Sequence, residues 1–400
     1  MKLLILSNYF TPDLSAGSFR IQALIDALQP MADAGLEVDL ITTSPNRYAS
    51  MSAEALPFEN HGWLKIHRIK LSGHNSGMFD QAWSYVRYAV GVCNLTGRGK
   101  WDAVFATSSR LMTAGLGSMI ARRLKVPLYL DIRDLFTDNI EELLVGSPIK
   151  ALLPVFKRIE RQSLQRASRV NVVSQGFVEH VRSRAPAAAL RVHTNGIDDL
   201  FLDTDFRMSK LSGQQPLILY AGNMGEGQGL DRIVPQAAKA LKGKARFRLI
   251  GDGGRRDDLE ASIKAEGLDY VELLSPVPRQ DLLEHYREAD ILFMHLNDLN
   301  AFRKVLPSKL FEYGAIQKPI LAGVAGYAAE FMAEHLPDAA VFDPLDASAM
   351  VEAADRLIAY PPDTSRPVFR TKFARSEIMA RLATDVLGMI EEHLGISEYK

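Results

Sequence analysis

The sequence predicts an α/β protein built from two doubly wound, Rossmann-like domains. Three observations carry this. Short unbroken apolar runs, such as residues 2–7 and 216–221, have the composition of parallel strands covered on both faces. Each is followed by a loop containing glycine and then by apolar residues at helical spacing, which gives the order strand, loop, helix, strand. The pattern restarts after a polar stretch at 203–215, and 400 residues exceed what one core ordinarily holds. The expected division is a first domain over 1–200, a second over 201–370, and a helix over 371–400 that packs back on the first.

Composition narrows the class. With 47% hydrophobic and 24% charged residues the chain reads as soluble and globular. A net charge of −1 offers no general attraction to nucleic acid. The single cysteine, Cys93, allows no internal disulfide and fits a reducing compartment. Residues 1–6 are too short for a secretory h-region, and no apolar run approaches the roughly 18 residues of a membrane span. The expected location is therefore cytoplasmic, with any membrane contact peripheral and at the inner face.

The elements follow in order. Residues 2–7 form the first strand. A loop with Pro12 and Gly17 leads to a helix over about 18–34, with Ile21, Leu24, Ile25 and Leu28 on one face and Pro30 as a kink point. The loop is not G-x-G-x-x-G, so no dinucleotide cofactor is expected. Gly17 is either a turn glycine or a point of close backbone approach to a substrate. Strands are expected at 36–42, 66–71, 101–107, 127–130 and 169–173. Helices at 78–95 and 148–166 are amphipathic, the second strongly basic; each either packs on a core or rests on an anionic membrane surface. Asp131, Arg133 and Asp134 follow a strand's carboxyl end, where open α/β sheets bind ligands, and are candidates for catalysis or for an ion-pair cluster. Asn195-Gly196 marks a turn near the domain junction.

In the second half, glycine-bearing or polar loops follow strands ending at Ala221, Ile250, Leu274 and Ala322. Pro307-Ser308 opens a helix, and Gly314 with Pro319 brackets its end. Ser308, Lys309 and Glu312 share one face of it. A lysine in a first turn opposes the helix dipole by about 0.3–1 kcal/mol unless an anion sits there. The pattern fits an anionic, phosphate-bearing ligand, or an ordinary exposed Lys309–Glu312 pair. Asp203-Thr204-Asp205 is the single D-x-D and lies in the polar linker, where it reads as a solvated turn. The histidines show no metal-ligand spacing.

These motifs together resemble one family. The loop with Gly17, the segments Asn195-Gly196-Ile197-Asp198, Tyr220-Ala221-Gly222-Asn223-Met224-Gly225 and Gly251-Asp252-Gly253, and Pro307-Ser308-Lys309-Leu310-Phe311-Glu312-Tyr313 resemble family 4 retaining glycosyltransferases of the GT-B fold, over essentially the whole chain. The last segment, with Ala322-Gly323-Val324-Ala325-Gly326-Tyr327, is similar to bacterial surface-polysaccharide transferases of the L-fucosaminyltransferase kind. The resemblance implies two domains facing across a cleft, with donor in the second and acceptor in the first. It implies Glu312 on the donor ribose, and Lys309 with the backbone of Gly222, Asn223 and Gly225 on the diphosphate. Gly251 would belong to the same donor site, Val277 would meet the base, and Gly17 would border the diphosphate or sugar. Asp131, Arg133 and Asp134 would face the acceptor or reacting centre. Two positions depart from the family pattern: Lys304 stands where a glutamate is common and Gln228 where a lysine is common. Phosphate neutralisation then shifts toward Lys309, Arg303 or Lys304, beside Ser308. The implied reaction moves a sugar from a UDP-linked donor to a saccharide or polyprenyl-diphosphate-linked acceptor, with no metal and no nucleic acid. A nucleotide-sugar epimerase of similar fold and a non-catalytic nucleotide-sugar-binding protein are the alternatives.

Overall fold

The computed structural model describes residues 1–13, 15–45, 55–71, 78–97, 99–108, 111–143, 148–206 and 215–396. Most of the expected linker, 207–214, lies outside the described residues. The chain divides into two compact units, Met1–Asn195 with Arg375–Lys400, and Gly196–Ala374. The divisions therefore fall at 195/196 and 374/375, not at 200/201 and 370/371. The reason is local pairing. Ile197 bridges to Ala374 and donates its N–H to the Phe373 carbonyl at 2.7 Å, inside the second unit. Arg375 donates from Nε to the Asn195 carbonyl at 3.0 Å, inside the first.

The first unit runs β1 (Lys2–Leu6), α1 (Ala16–Leu28), β2 (Glu37–Thr43), β3 (Phe58–Asn60), β4 (Leu64–Ile69), α2 (Met78–Leu95), β5 (Ala103–Ser108), α3 (Leu111–Leu124), β6 (Leu128–Ile132), α4 (Phe136–Leu143), α5 (Leu153–Arg166), β7 (Arg169–Val172), α6 (Val178–Arg184) and β8 (Ala189–Val192). Among the described residues its sheet has the order β3-β4-β2-β1-β5-β6-β7-β8. All neighbours are parallel except β3, which is antiparallel to β4. Leu3, Leu4, Ile5 and Leu6 of the central strand are fully enclosed. Each contributes about 1.5–3 kcal/mol of burial free energy. Pro30 does more than kink α1: the helix stops at Leu28 and a 3₁₀ turn, Gln29–Met31, follows. A 3₁₀ turn at Pro148–Leu152 likewise precedes α5, so the expected basic helix starts later.

The second unit runs α7 (Asp199–Asp203), β9 (Leu217–Ala221), α8 (Leu230–Ala240), β10 (Arg246–Ile250), α9 (Arg256–Ala265), β11 (Val271–Leu274), α10 (Arg279–Glu288), β12 (Ile291–His295), α11 (Ser308–Ile316), β13 (Ile320–Gly323), α12 (Tyr327–His335), β14 (Ala340–Phe342), α13 (Ala347–Ala359) and α14 (Pro367–Lys372). Its described strands are all parallel, in the order β11-β10-β9-β12-β13-β14. The tail helix, expected over 371–400, is α15 (Arg375–Leu394), set off from α14 at Phe373 and Ala374; it belongs to the first unit, where it packs along α1. Tyr129 on β6 donates to Asp385 at 2.7 Å and anchors it there.

Candidate functional site

The amino end of α11 starts as the sequence predicts, at Ser308 after Pro307. Gly314 does not end it. That glycine is inside the helix, where a Cβ would strike the Phe369 ring, and the helix closes through Gln317 in a left-handed conformation, φ 57°. Lys309 Nζ donates to Glu312 Oε2 at 2.8 Å and to the Tyr286 hydroxyl at 3.1 Å, and lies 5.9 Å from the Tyr286 and Tyr313 ring centres. Burial, the largest single effect, would lower the Lys309 pKa, but Glu312, Tyr313 and Tyr220 together outweigh it and the net shift is upward. An ammonium has three donors. Among the described residues two are used.

Tyrosines bring this helix to the first glycine loop. The Tyr313 hydroxyl donates to the Phe293 carbonyl at 3.2 Å and meets the Ala221 N–H at 3.4 Å. Tyr220 holds the Asn223 carbonyl, and Lys309 acts on the Tyr220 hydroxyl electrostatically. The glycine loop itself is not the open N–H cradle expected. Gly222 N–H donates to Ile250 O at 2.9 Å, Met224 N–H to Asp252 O at 2.8 Å, and Gly225 N–H to Gln228 Oε1 at 3.2 Å. The glycines serve the contact between two loops. A Cβ on Gly251 (φ 154°) would run into the Gly222 carbonyl, and one on Gly253 into the Met224 backbone. Gln228, in place of a lysine, braces this loop; its amide meets that of Asn223 at 2.7 Å.

The remaining second-unit candidates are dispersed. Val277 is half-buried in the loop after β11. Arg303 is half-exposed and turned to Asp298, its Nη2 2.8 Å from Oδ1. It lines an open pocket with Val324, Gly326, Phe342 and Asp343, a set that does not include Lys309. Lys304 closes the 3₁₀ turn Phe302–Lys304. No hydrogen bond or ion pair among the described residues joins Arg303 to Lys309 or Glu312.

In the first unit, Asp131 is not presented to a reacting centre. It is fully buried and accepts from Arg20 Nε at 2.9 Å, Arg20 Nη2 at 2.8 Å, Asn171 Nδ2 at 2.7 Å and Thr107 at 3.3 Å. Burial would raise its pKa; the Arg20 guanidinium overrides that and holds it below the usual carboxylate value. Arg20 also donates to the carbonyls of Thr194 at 2.7 Å and His193 at 3.0 Å, tying α1 and β6 to the segment after β8. Arg133 is the residue near Gly17: a Cβ there would collide with its Nη1. Its buried Nε has no hydrogen-bond partner among the described residues. Burial and the neighbouring Arg20 pull the Arg133 pKa down to about 10. Asp134 is exposed, just before α4. Thus Asp131, Arg133 and Asp134 separate into an internal anchor, a half-buried cation and a surface carboxylate. Among the described residues no group of three or more His, Cys, Asp or Glu is placed to bind a metal.

Residues 20–196 match the glycosyl transferase 4-like domain, and residues 203–371 match the glycosyl transferases group 1 family. The chain carries a glycosyl transferase 4-like domain followed by a glycosyl transferases group 1 domain. It is 30% identical over 126 residues to alpha-D-kanosaminyltransferase of Streptomyces kanamyceticus, covering 29% of this chain and 33% of that protein. It is 24% identical over 174 residues to a protein of Escherichia coli K12 named as the colanic acid biosynthesis glycosyl transferase WcaI, covering 41% and 42%. The chain thus spans a third to two-fifths of the curated relatives it matches. Among solved structures, Anabaena HepE in complex with UDP is similar at TM-score 0.67 and 16% identity, over 97% of this chain and 100% of that one. A protein described as a UDP-N-acetylglucosamine 2-epimerase from Listeria monocytogenes is similar at TM-score 0.58 and 11% identity, over 99% and 97%. These likenesses establish the GT-B fold and leave chemistry to the site.

Several residues that order these loops and strand ends had little or no signal in the sequence. His295, at the end of β12, donates from Nδ1 to Gln228 O at 2.6 Å and accepts at Nε2 from Leu345 N–H at 3.0 Å. Burial pulls its pKa down to about 4, so it is a neutral latch. Asn297 adds a bond to Glu226 O at 3.0 Å and another from Arg232 at 3.1 Å. Arg20 had one signal: it shares a helical face with Gly17, Ile21 and Leu24, where a charge requires a buried partner. The tyrosines around Lys309 come from three separate elements and had none.

Proposed function

We propose that the protein transfers a hexosyl or amino-deoxyhexosyl group from a UDP-linked donor to a saccharide, free or carried on a polyprenyl diphosphate, in bacterial surface-polysaccharide assembly. The observation that carries this is Lys309: an ammonium at the amino end of α11, oriented by Tyr286 and Glu312, with one N–H uncommitted among the described residues. A group 1 domain, and relatives named as transferases of sugars, support the reaction class.

In this reading the leaving diphosphate gains negative charge as the glycosidic bond breaks. A cation and a helix amino terminus already aimed at that charge lower the barrier without reorganising. Glu312 holds the lysine and, through its other oxygen, a donor hydroxyl. Retention is what the family resemblance implies, and front-face displacement would give it without a protein nucleophile. The diphosphate is neutralised by Lys309 rather than by a metal.

The test is a donor panel screened by thermal shift, followed by turnover with an acceptor. Transfer of the sugar from the stabilising donor is expected. The similarity in fold to the Listeria protein favours epimerisation as the second reading. Conversion of the donor with no acceptor present would establish that reading instead, and UDP binding without turnover in either assay would leave only a binding protein.

A further inference from the structure

Asp198 closes the motif Asn195-Gly196-Ile197-Asp198, at the start of the second unit. One oxygen of its carboxylate accepts from the Leu200 N–H at 3.1 Å and caps α7. The other pairs with Arg279 Nη2 at 2.7 Å. Arg279 is the first residue of α10, where a cation is disfavoured unless an anion meets it. Asp198 supplies that anion, and the guanidinium lies over the Phe201 ring, 5.6 Å from its centre. The pair is partly shielded, with the two side chains 26% and 18% exposed, so it is screened less than a surface pair.

From Phe201 the contacts run to the amino end of α11. Phe201 meets Tyr286 edge-on with 6.0 Å between ring centres, and Phe206 meets it edge-on at 6.4 Å. Tyr286 in turn meets Tyr313 edge-on at 6.0 Å. Such pairs are directional, because the electropositive rim of one ring seeks the electronegative face of the other. All four rings are buried, none more than 4% exposed, so close packing fixes the Tyr286 ring and with it the hydroxyl. That hydroxyl accepts from Lys309 Nζ at 3.1 Å, and the ammonium lies 5.9 Å from the centres of both tyrosine rings. A lysine head loses much rotamer freedom when a ligand fixes it; here the rings fix it before any ligand arrives.

We propose that Asp198, Arg279, Phe201 and Tyr286 are positioning residues for Lys309, and that through them the segment entering the second unit sets where the ammonium meets a diphosphate. The inference rests on Lys309 as a ligand of the donor diphosphate. The relay ends on a charge, so it governs the phosphates of the nucleotide and not its base.

Calorimetric titration of the full chain with UDP and with uridine tests this. Tyr286→Phe keeps the ring and removes the acceptor. Arg279→Ala uncovers Phe201 from a partly exposed position, away from the core. Each should weaken UDP binding by about three- to tenfold and leave uridine binding, which needs no cation, unchanged. In a Lys309→Ala background neither substitution should weaken UDP binding further, because the group they place is gone. A merely structural role would weaken uridine binding as well, or persist without Lys309, and either result overturns the proposal. So does natural UDP affinity in either variant while Lys309→Ala weakens UDP binding; the donor site then stands and the positioning role alone falls. Full UDP affinity in Lys309→Ala itself would move the nucleotide elsewhere and overturn both.

Discussion

The Arg20 guanidinium and the Asp131 carboxylate form a bidentate pair that is almost wholly enclosed, 1% and 0% exposed, and they join residues 111 positions apart. Removing one member strands the other in a low-dielectric interior. Asp131→Asn is expected to cost about 3–5 kcal/mol, measured by denaturant unfolding. The pH dependence has a definite sign. Asp131 has a depressed folded pKa, so its contribution is present above the unfolded value near 3.8 and is lost as pH falls through the folded one. The variant should lose that acid-side slope. An unchanged slope would mean that the pair does not couple to folding.

Gly17 and Arg133 compete for one space. Gly17→Ala should displace the Arg133 side chain, and Arg133→Ala should relieve the clash. A double-mutant cycle on stability is expected to give a coupling on the order of 0.5–3 kcal/mol. Additive effects would show that the guanidinium moves aside freely. Activity measured in parallel separates a packing role for Gly17 from one at the donor.

Lys309→Ala should weaken UDP affinity by roughly tenfold or more, the loss of one charge-assisted contact of about 1.5–3 kcal/mol. Glu312→Ala removes the group that aims the ammonium and should lower both affinity and turnover, with circular dichroism unchanged. Calorimetric titration with UDP decides. Full affinity in both variants would move the nucleotide elsewhere.

His295 latches the segment at Gln228 to the turn at Leu345. Its folded pKa, near 4, lies below the unfolded value of 6.5, so the neutral ring stabilises the fold above 6.5 and the contribution fades as pH falls from there toward 4. His295→Phe should lose about 1–3 kcal/mol at neutral pH through two broken bonds and flatten that slope. Hydrogen exchange in the loop around Gln228 should quicken. Unchanged protection there would exclude the latch.

Much of this molecule was legible as a one-dimensional pattern. Two repeats of strand, loop and helix, the start of α11 at Ser308 and the shared face of Lys309 and Glu312 all follow from local periodicity and capping, which act over a few residues. The course of α2, Met78–Leu95, was readable for the same reason. What local rules could not reach is pairing at long range. Asp131 looked like a reactive carboxylate because it follows a strand; only its meeting with Arg20 and Asn171 makes it an internal anchor. The Gly222–Gly225 stretch looked like a phosphate cradle until Ile250, Asp252 and Gln228 took the N–H groups of Gly222, Met224 and Gly225. The tail helix looked set to start at 371 until the Ile197–Ala374 bridge moved its start to Arg375. In each case the sequence determined which groups are available, through residue type and spacing, and the tertiary structure decided which of them remain free, because a buried donor or charge takes its partner wherever the fold brings one within reach.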